Sequence, residues 1–155
     1  MITTEQLKKK YGIPAESGIP YLTTIQLPYP MRLAWDTGTV VTKMRCHNLV
    51  AGKFIKVFSQ ILAHYGYEKI KELGIDLYGG CFNYRKMRGG SDWSRHSWGV
   101  AIDLDPERNQ YKTPFKKSQF SKPEYAKLHE IFEANGFINL GKAKGFDAMH
   151  WEIKE

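Results

Sequence analysis

Two short stretches carry the residue types that bind metals and move protons. Ser94-Arg95-His96-Ser97-Trp98-Gly99-Val100-Ala101-Ile102-Asp103 offers a histidine followed by a carboxylate, and Asp147-Ala148-Met149-His150-Trp151-Glu152 offers a second histidine between two acids. Two imidazoles and one carboxylate suit zinc. Metal-assisted hydrolysis needs three protein ligands, an open coordination position, and a base to deprotonate the water that fills it. Asp147, three residues before the last histidine, is a candidate for that base.

These groups can act only if the chain brings them together. Val100 to Asp105 alternates like a strand, which predicts Asp103 and Asp105 on one face with Ile102 and Leu104 toward the core. Gly99 permits a sharp backbone path that returns His96 over the same face. Met149 to Ile153 reads as a second alternating strand, with His150 and Glu152 on one face and Trp151 on the other. If the two strands are neighbours, His96, Asp103 and His150 converge without help from the rest of the chain. Asp105 stays a rival to Asp103 for the metal, and Glu152 a rival to Asp147 for the base. Glu152 has a second option, orienting a ligand imidazole from outside the coordination sphere. Spacing alone does not decide, because lone histidines are usually structural and short motifs arise by chance. The pair stands out because histidines and acids occupy strand faces where Thr, Lys or Ser would be expected.

The positioning elements follow in order. Thr3 and Gln6 form a capping box for a short helix that Gly12 can end, and residues 12–20 are a Gly/Pro/Ser-punctuated connector. Tyr21 to Met44 is β-rich but interrupted by Pro28 and Pro30, which predicts edge strands or extended arms, with a turn at Asp36-Thr37-Gly38. Val50, Phe54, Val57, Phe58, Ile61, Leu62 and Tyr65 form a helical stripe closed by Gly66. His47 and His64 are not expected at the metal. A short helix over 69–73 and a strand over 77–85, interrupted at Gly79-Gly80, lead to a polar loop from Arg88 to Trp93. Pro106 to Lys117 reads as an exposed loop able to rim a cleft. Ser121 and Glu124 suggest a capping box for a helix whose apolar face is Tyr125, Leu128, Ile131 and Phe132 and which Asn135-Gly136 can end, with His129 off that stripe and facing solvent. Ile138 to Ile153 closes the chain as a hairpin. Together these elements predict an α+β domain, helices packed on a central, mainly antiparallel sheet.

Composition narrows the partners. The 155 residues favour a single domain, and a net charge of +7 suits any polyanion, whether nucleic acid or an anionic cell wall. No familiar nucleic-acid motif accompanies the charge, so no nucleic-acid partner is expected. No apolar run is long enough for a membrane span, and the N-terminus lacks the apolar stretch of a secretory signal. Cys46 and Cys81 are too few for a disulfide framework and are expected in or near the core. Trp98 and Trp151 are expected to pack rather than stack on sugars.

Ser94-Arg95-His96, Gly99, Ala101 and Asp103, followed by Asp147 and His150-Trp151-Glu152, resemble the two signature motifs of the zinc D-Ala-D-Ala carboxypeptidase and L-alanyl-D-glutamate peptidase family. This is the VanX/VanY type, which includes many phage endolysins and shares the fold of the hedgehog signalling domain. The resemblance covers about residues 77–155. It implies that His96, Asp103 and His150 bind Zn2+ and that Asp147, where several members carry Glu, is the base. It further implies an upstream arginine that holds the substrate carbonyl or its oxyanion, Arg85 with Arg88 as the rival, and a substrate contact from Ser94. The expected protein is a single zinc peptidase domain over 1–155, with 1–45 as an N-terminal helix and extended arm. It is expected to be a monomer of hedgehog/DD-peptidase-like fold acting on bacterial peptidoglycan stem peptides. The favoured bond is L-Ala-D-Glu, as in an endolysin made in the cytoplasm without a signal peptide and acting on the wall after release. D-Ala-D-Ala carboxypeptidase activity is the alternative. A non-catalytic zinc-stabilised binding domain of the hedgehog kind is the reading from another class.

Overall fold

The computed structural model describes residues 1–18 and 20–155; Ile19, within the 12–20 connector, lies outside the described residues. Helix α1 (Thr4–Tyr11) begins at the capping box foreseen for it. Thr3 Oγ1 accepts from Gln6 N, Gln6 Oε1 accepts from Thr3 N, and Gly12 ends the helix at positive φ. Leu7 and Tyr11 are buried and fix the helix to the core.

Strands β1 (Leu22–Leu33) and β2 (Asp36–His47) form a long antiparallel hairpin that turns at Ala34-Trp35, ahead of the turn expected at Asp36-Gly38. The prolines do not put β1 at an edge: it lies between β2 and a parallel partner, β3 (Leu77–Gly80). The reason is register. Pairing with β2 runs from Leu22 to Gln26 and resumes at Met31, so Pro28 and Pro30 fall in an irregularity where the ladder needs no N–H. The strand expected over 77–85 ends at Gly80. Arg32 ties β1 to the turn before β3, donating Nε and Nη2 to the two carboxylate oxygens of fully buried Asp76 at 2.7 and 2.9 Å.

Helix α2 (Ala51–Tyr65) follows its stripe, burying Phe54, Val57, Phe58 and Ile61, each worth about 1.5–3 kcal/mol of transfer free energy. Helix α3 (Tyr67–Leu73) ends at Gly74 in the left-handed region. Strand β4 (Ala101–Leu104) and helix α4 (Ala126–Ala134) come next. The chain then runs through β5 (Phe137–Asn139), the single-turn helix α5 (Leu140–Lys144) and β6 (His150–Ile153), so α5 sits inside the terminal hairpin. The six strands form one sheet in the order β2-β1-β3-β4-β6-β5, antiparallel except at β1·β3. The architecture is α+β.

Two sequence expectations near α4 fail for the same reason. The chain before it makes three 3-10 turns, Phe115–Lys117, Gln119–Ser121 and Pro123–Tyr125, which wrap the side of α4 that would otherwise meet solvent. Ser121 therefore spends its hydroxyl on the carbonyls of Ser118 and Lys116, and no side chain caps α4. His129 is buried: Nε2 donates to Phe120 O at 2.8 Å, and its ring packs against Phe115 and Trp151. Trp151 is fully buried on the back of β6, stacked on Phe132 with centroids 4.6 Å apart, and Trp98 is buried with Nε1 donating to Gly12 O. Both tryptophans pack, as do the free thiols of Cys46 and Cys81. His47 is buried beneath Tyr11 and Tyr21, and His64 is exposed.

Candidate metal centre

Adjacent central strands carry the two motifs. In the β4·β6 ladder Asp103 stands directly opposite His150, while Trp151, one residue on, points into the core. His96 arrives from the 3-10 turn Arg95–Trp98, which Ser94 caps by accepting from His96 N. The turn is reversed by Gly99 at φ 68°, where a Cβ would sit 2.8 Å from His47 N. On the other side of β4, Gly79 lets β3 approach, since a Cβ there would lie 3.0 Å from the Asp103 Cβ. One ligand atom each from His96, Asp103 and His150 falls within 4.8 Å of the others.

Each imidazole has already used the nitrogen that faces away. His96 Nδ1 lies 2.7 Å from Cys81 O, and His150 Nε2 lies 2.9 Å from Glu152 Oε1, so both of those nitrogens donate. The neutral tautomers thereby fixed turn the lone pairs of His96 Nε2 and His150 Nδ1 toward Asp103, at 3.2 Å from its Oδ2 and Oδ1. Acceptor meets acceptor, and His96 Nε2 and Asp103 Oδ1 are buried without a hydrogen-bond partner. Such an arrangement calls for a cation at the centre, so the residues fit zinc in both donor type and number. Burial pushes the Asp103 carboxyl up, but the neighbouring His96 and His150 outweigh it and hold the group below the usual carboxylate range. Burial likewise lowers His150, but the Asp103 and Glu152 carboxylates beside it prevail and raise it above an ordinary histidine.

Asp105 does not share the Asp103 face. Its φ of 45° turns it out of the strand, and its carboxylate is taken by Arg108 Nε at 2.7 Å. Glu152 is engaged with His150. Asp147 lines the cleft beside the cluster in the left-handed region at φ 70°, a strained backbone for a non-glycine residue, held by Asp147 N donating to Tyr111 O. Burial raises its carboxyl, opposed by the charges of His150, His96 and Arg88 and reinforced by Asp103.

The cleft, about 360 Å³, is also lined by Arg85, Arg88 and Ser94. Arg85 is set by its backbone: its N donates to Ser97 Oγ, and its carbonyl accepts from both Ser97 Oγ and Ser94 N. Arg88 lies over the Tyr111 ring, 5.0 Å from its centroid, joining the loop after Arg85 to the loop after β4. Sequence reading left out Arg95, Tyr111, Leu140, Lys144 and Met149, which also line the cleft. Of these only Arg95 carried a signal, as a cation beside a ligand candidate.

No curated protein and no solved structure matches the chain. Residues 88–153 match a family model described as D-alanyl-D-alanine carboxypeptidase. The match spans both motifs and the two strands that face His96, Asp103 and His150 into one cluster. On that segment, which is less than half of the chain, the protein is similar to the D-alanyl-D-alanine carboxypeptidase family of peptidases.

Proposed function

We propose that the protein is a zinc-dependent peptidase of bacterial peptidoglycan stem peptides, cutting the L-Ala-D-Glu bond in an endolysin-like role. The observation that carries the metal part is the pair of imidazole lone pairs turned onto one carboxylate inside a cleft. His96, Asp103 and His150 hold the ion, with Cys81 O and Glu152 fixing the two tautomers. A zinc ion held there would supply Lewis acidity, the chemistry that lowers the pKa of a water to about 7 and polarises a carbonyl. Asp147 accepts the water's proton on a carboxylate oxygen and delivers it to the departing amine; its burial brings its pKa toward that task. Arg85, with Arg88 as the rival, meets the charge developing on the carbonyl oxygen. Ser94 contacts substrate from the cleft wall while its Oγ caps the turn that presents His96.

The basic lining from Arg85, Arg88 and Lys144 supports an acidic substrate such as a stem peptide with its free carboxylates. The description of the matching family favours a second specificity, removal of a terminal D-Ala. Mass spectrometry of fragments released from purified peptidoglycan, with and without chelator, tests both. New L-Ala C-termini and D-Glu N-termini are expected. Loss of single D-Ala residues would reassign the bond, and the absence of chelator-sensitive release would leave a non-catalytic zinc domain.

A further inference from the structure

One wall of the cleft plays no part in the chemistry above. Met1, Ile2 and Thr3 line the cleft together with Met87 and Arg95. The segment is not held there by α1 alone, which is already secured by buried Leu7 and Tyr11 and by Tyr11 Oη donating to Glu155 O. It is held by Arg95. Nη2 donates to Ile2 O at 2.9 Å and Nη1 to Thr4 Oγ1 at 3.2 Å, while the Thr4 hydroxyl donates to the Asp92 carboxylate. The same guanidinium faces the metal cluster, with Nε 3.8 Å from Glu152 Oε2. The other oxygen of Glu152 takes His150 Nε2. The Arg95 side chain is only 14% exposed, so its charge is poorly screened, and its planar fork is shared between a chain segment and a ligand's partner.

We propose that Met1–Thr3 is a specificity wall of the metal cleft, and that Arg95, which holds this wall through Ile2 O and Thr4 Oγ1, is the positioning residue that couples it to His150 through Glu152. Met1 and Met87, exposed at the rim, and Ile2 give the cleft an apolar flank beside the cations Arg85, Arg88 and Lys144. The site so formed takes an acidic peptide with a small apolar side chain on the wall side. This rests on the peptidase reading above.

The test is steady-state kinetics on one stem peptide for Ile2→Ala, Thr4→Val, Arg95→Gln and Arg95→Lys, with zinc affinity measured separately by chelator competition. Ile2→Ala is expected to raise KM about tenfold, as loss of a packing contact to substrate does, and Thr4→Val to raise it similarly by freeing the wall from Arg95 and Asp92, each with zinc affinity unchanged. Thr4→Val leaves the buried Ile2 intact, so it decides the matter should Ile2→Ala fail to fold. Arg95→Gln is expected to raise KM and also to weaken zinc binding about tenfold, the scale of losing an outer partner of a ligand. Arg95→Lys restores zinc binding but not KM, since an ammonium keeps the charge and loses the fork. An unchanged KM in both wall variants overturns the wall, and unchanged zinc affinity in Arg95→Gln overturns the coupling. A wild type inactive on every peptide would sink the peptidase reading instead. Peptide binding by calorimetry would then replace KM, and the chelator competition, which needs no turnover, would still decide the coupling.

Discussion

His96 and His150 each spend one ring nitrogen on a neighbouring oxygen and turn the other toward Asp103. With no ion bound, His150 holds a proton more tightly than an ordinary histidine, so a metal must displace that proton to bind. Zinc affinity is therefore expected to fall as pH falls, and zinc addition in weak buffer near neutral pH should release a proton, measurable with an indicator dye. Uptake without proton release would mean that the ion binds elsewhere. Asp147 is the proposed base. Asp147→Ala should keep zinc and lose about 10²- to 10⁴-fold in turnover, whereas His150→Ala should lose both. Full turnover in Asp147→Ala would move the base to Glu152, which the structure commits to His150.

At the scale of elements, the site depends on strands brought close and on a turn that only glycine makes easily. Gly99→Ala places a Cβ against His47 N at positive φ, and an expected loss of about 1–3 kcal/mol would appear in urea unfolding. Stability unchanged in that variant would show that the turn is not under this constraint. His129, sealed under the 3-10 turns before α4, has its pKa lowered by burial. An unfolded chain then binds the proton first, so the stability His129 contributes is present above about 6.5 and lost as pH falls from there toward the lower folded value. The unfolding midpoint of wild type should drop relative to His129→Gln across that interval, and parallel curves would contradict the burial argument. Its solvent-facing assignment from sequence failed because helical periodicity reports one packed face and cannot see an irregular loop covering another. Pro28 and Pro30 misled in a similar way, since their place in a register gap depends on how the partner strand pairs, which no local pattern encodes.

Across the whole molecule, the facing of Asp103 and His150 was the most legible part, because alternation in two short strands fixes which side chains share a face. Asp105 departed from that pattern by a single dihedral angle. The cleft around the cluster was largely illegible: Tyr111 and the N-terminal segment reach it through loops and chain reversals, and Lys144 from the short helix α5, none of which strand alternation encodes. The net charge of +7 acts on this same scale. Binding to purified anionic walls, followed by co-sedimentation, is expected to weaken steadily as salt is raised past the point where the Debye length falls below about 8 Å. Salt-independent binding would point to a shaped recognition surface rather than to general attraction.

Under the proposed function, His96 Nε2, Asp103 and His150 Nδ1 converge on one zinc ion. Anomalous diffraction from crystals grown with zinc tests it most directly. The account predicts a single strong peak in the cleft, about 2.0–2.2 Å from those three residues, with Asp147 and Glu152 outside the coordination sphere. A peak ligated by Glu152 or Asp105, or none in the cleft, would contradict it.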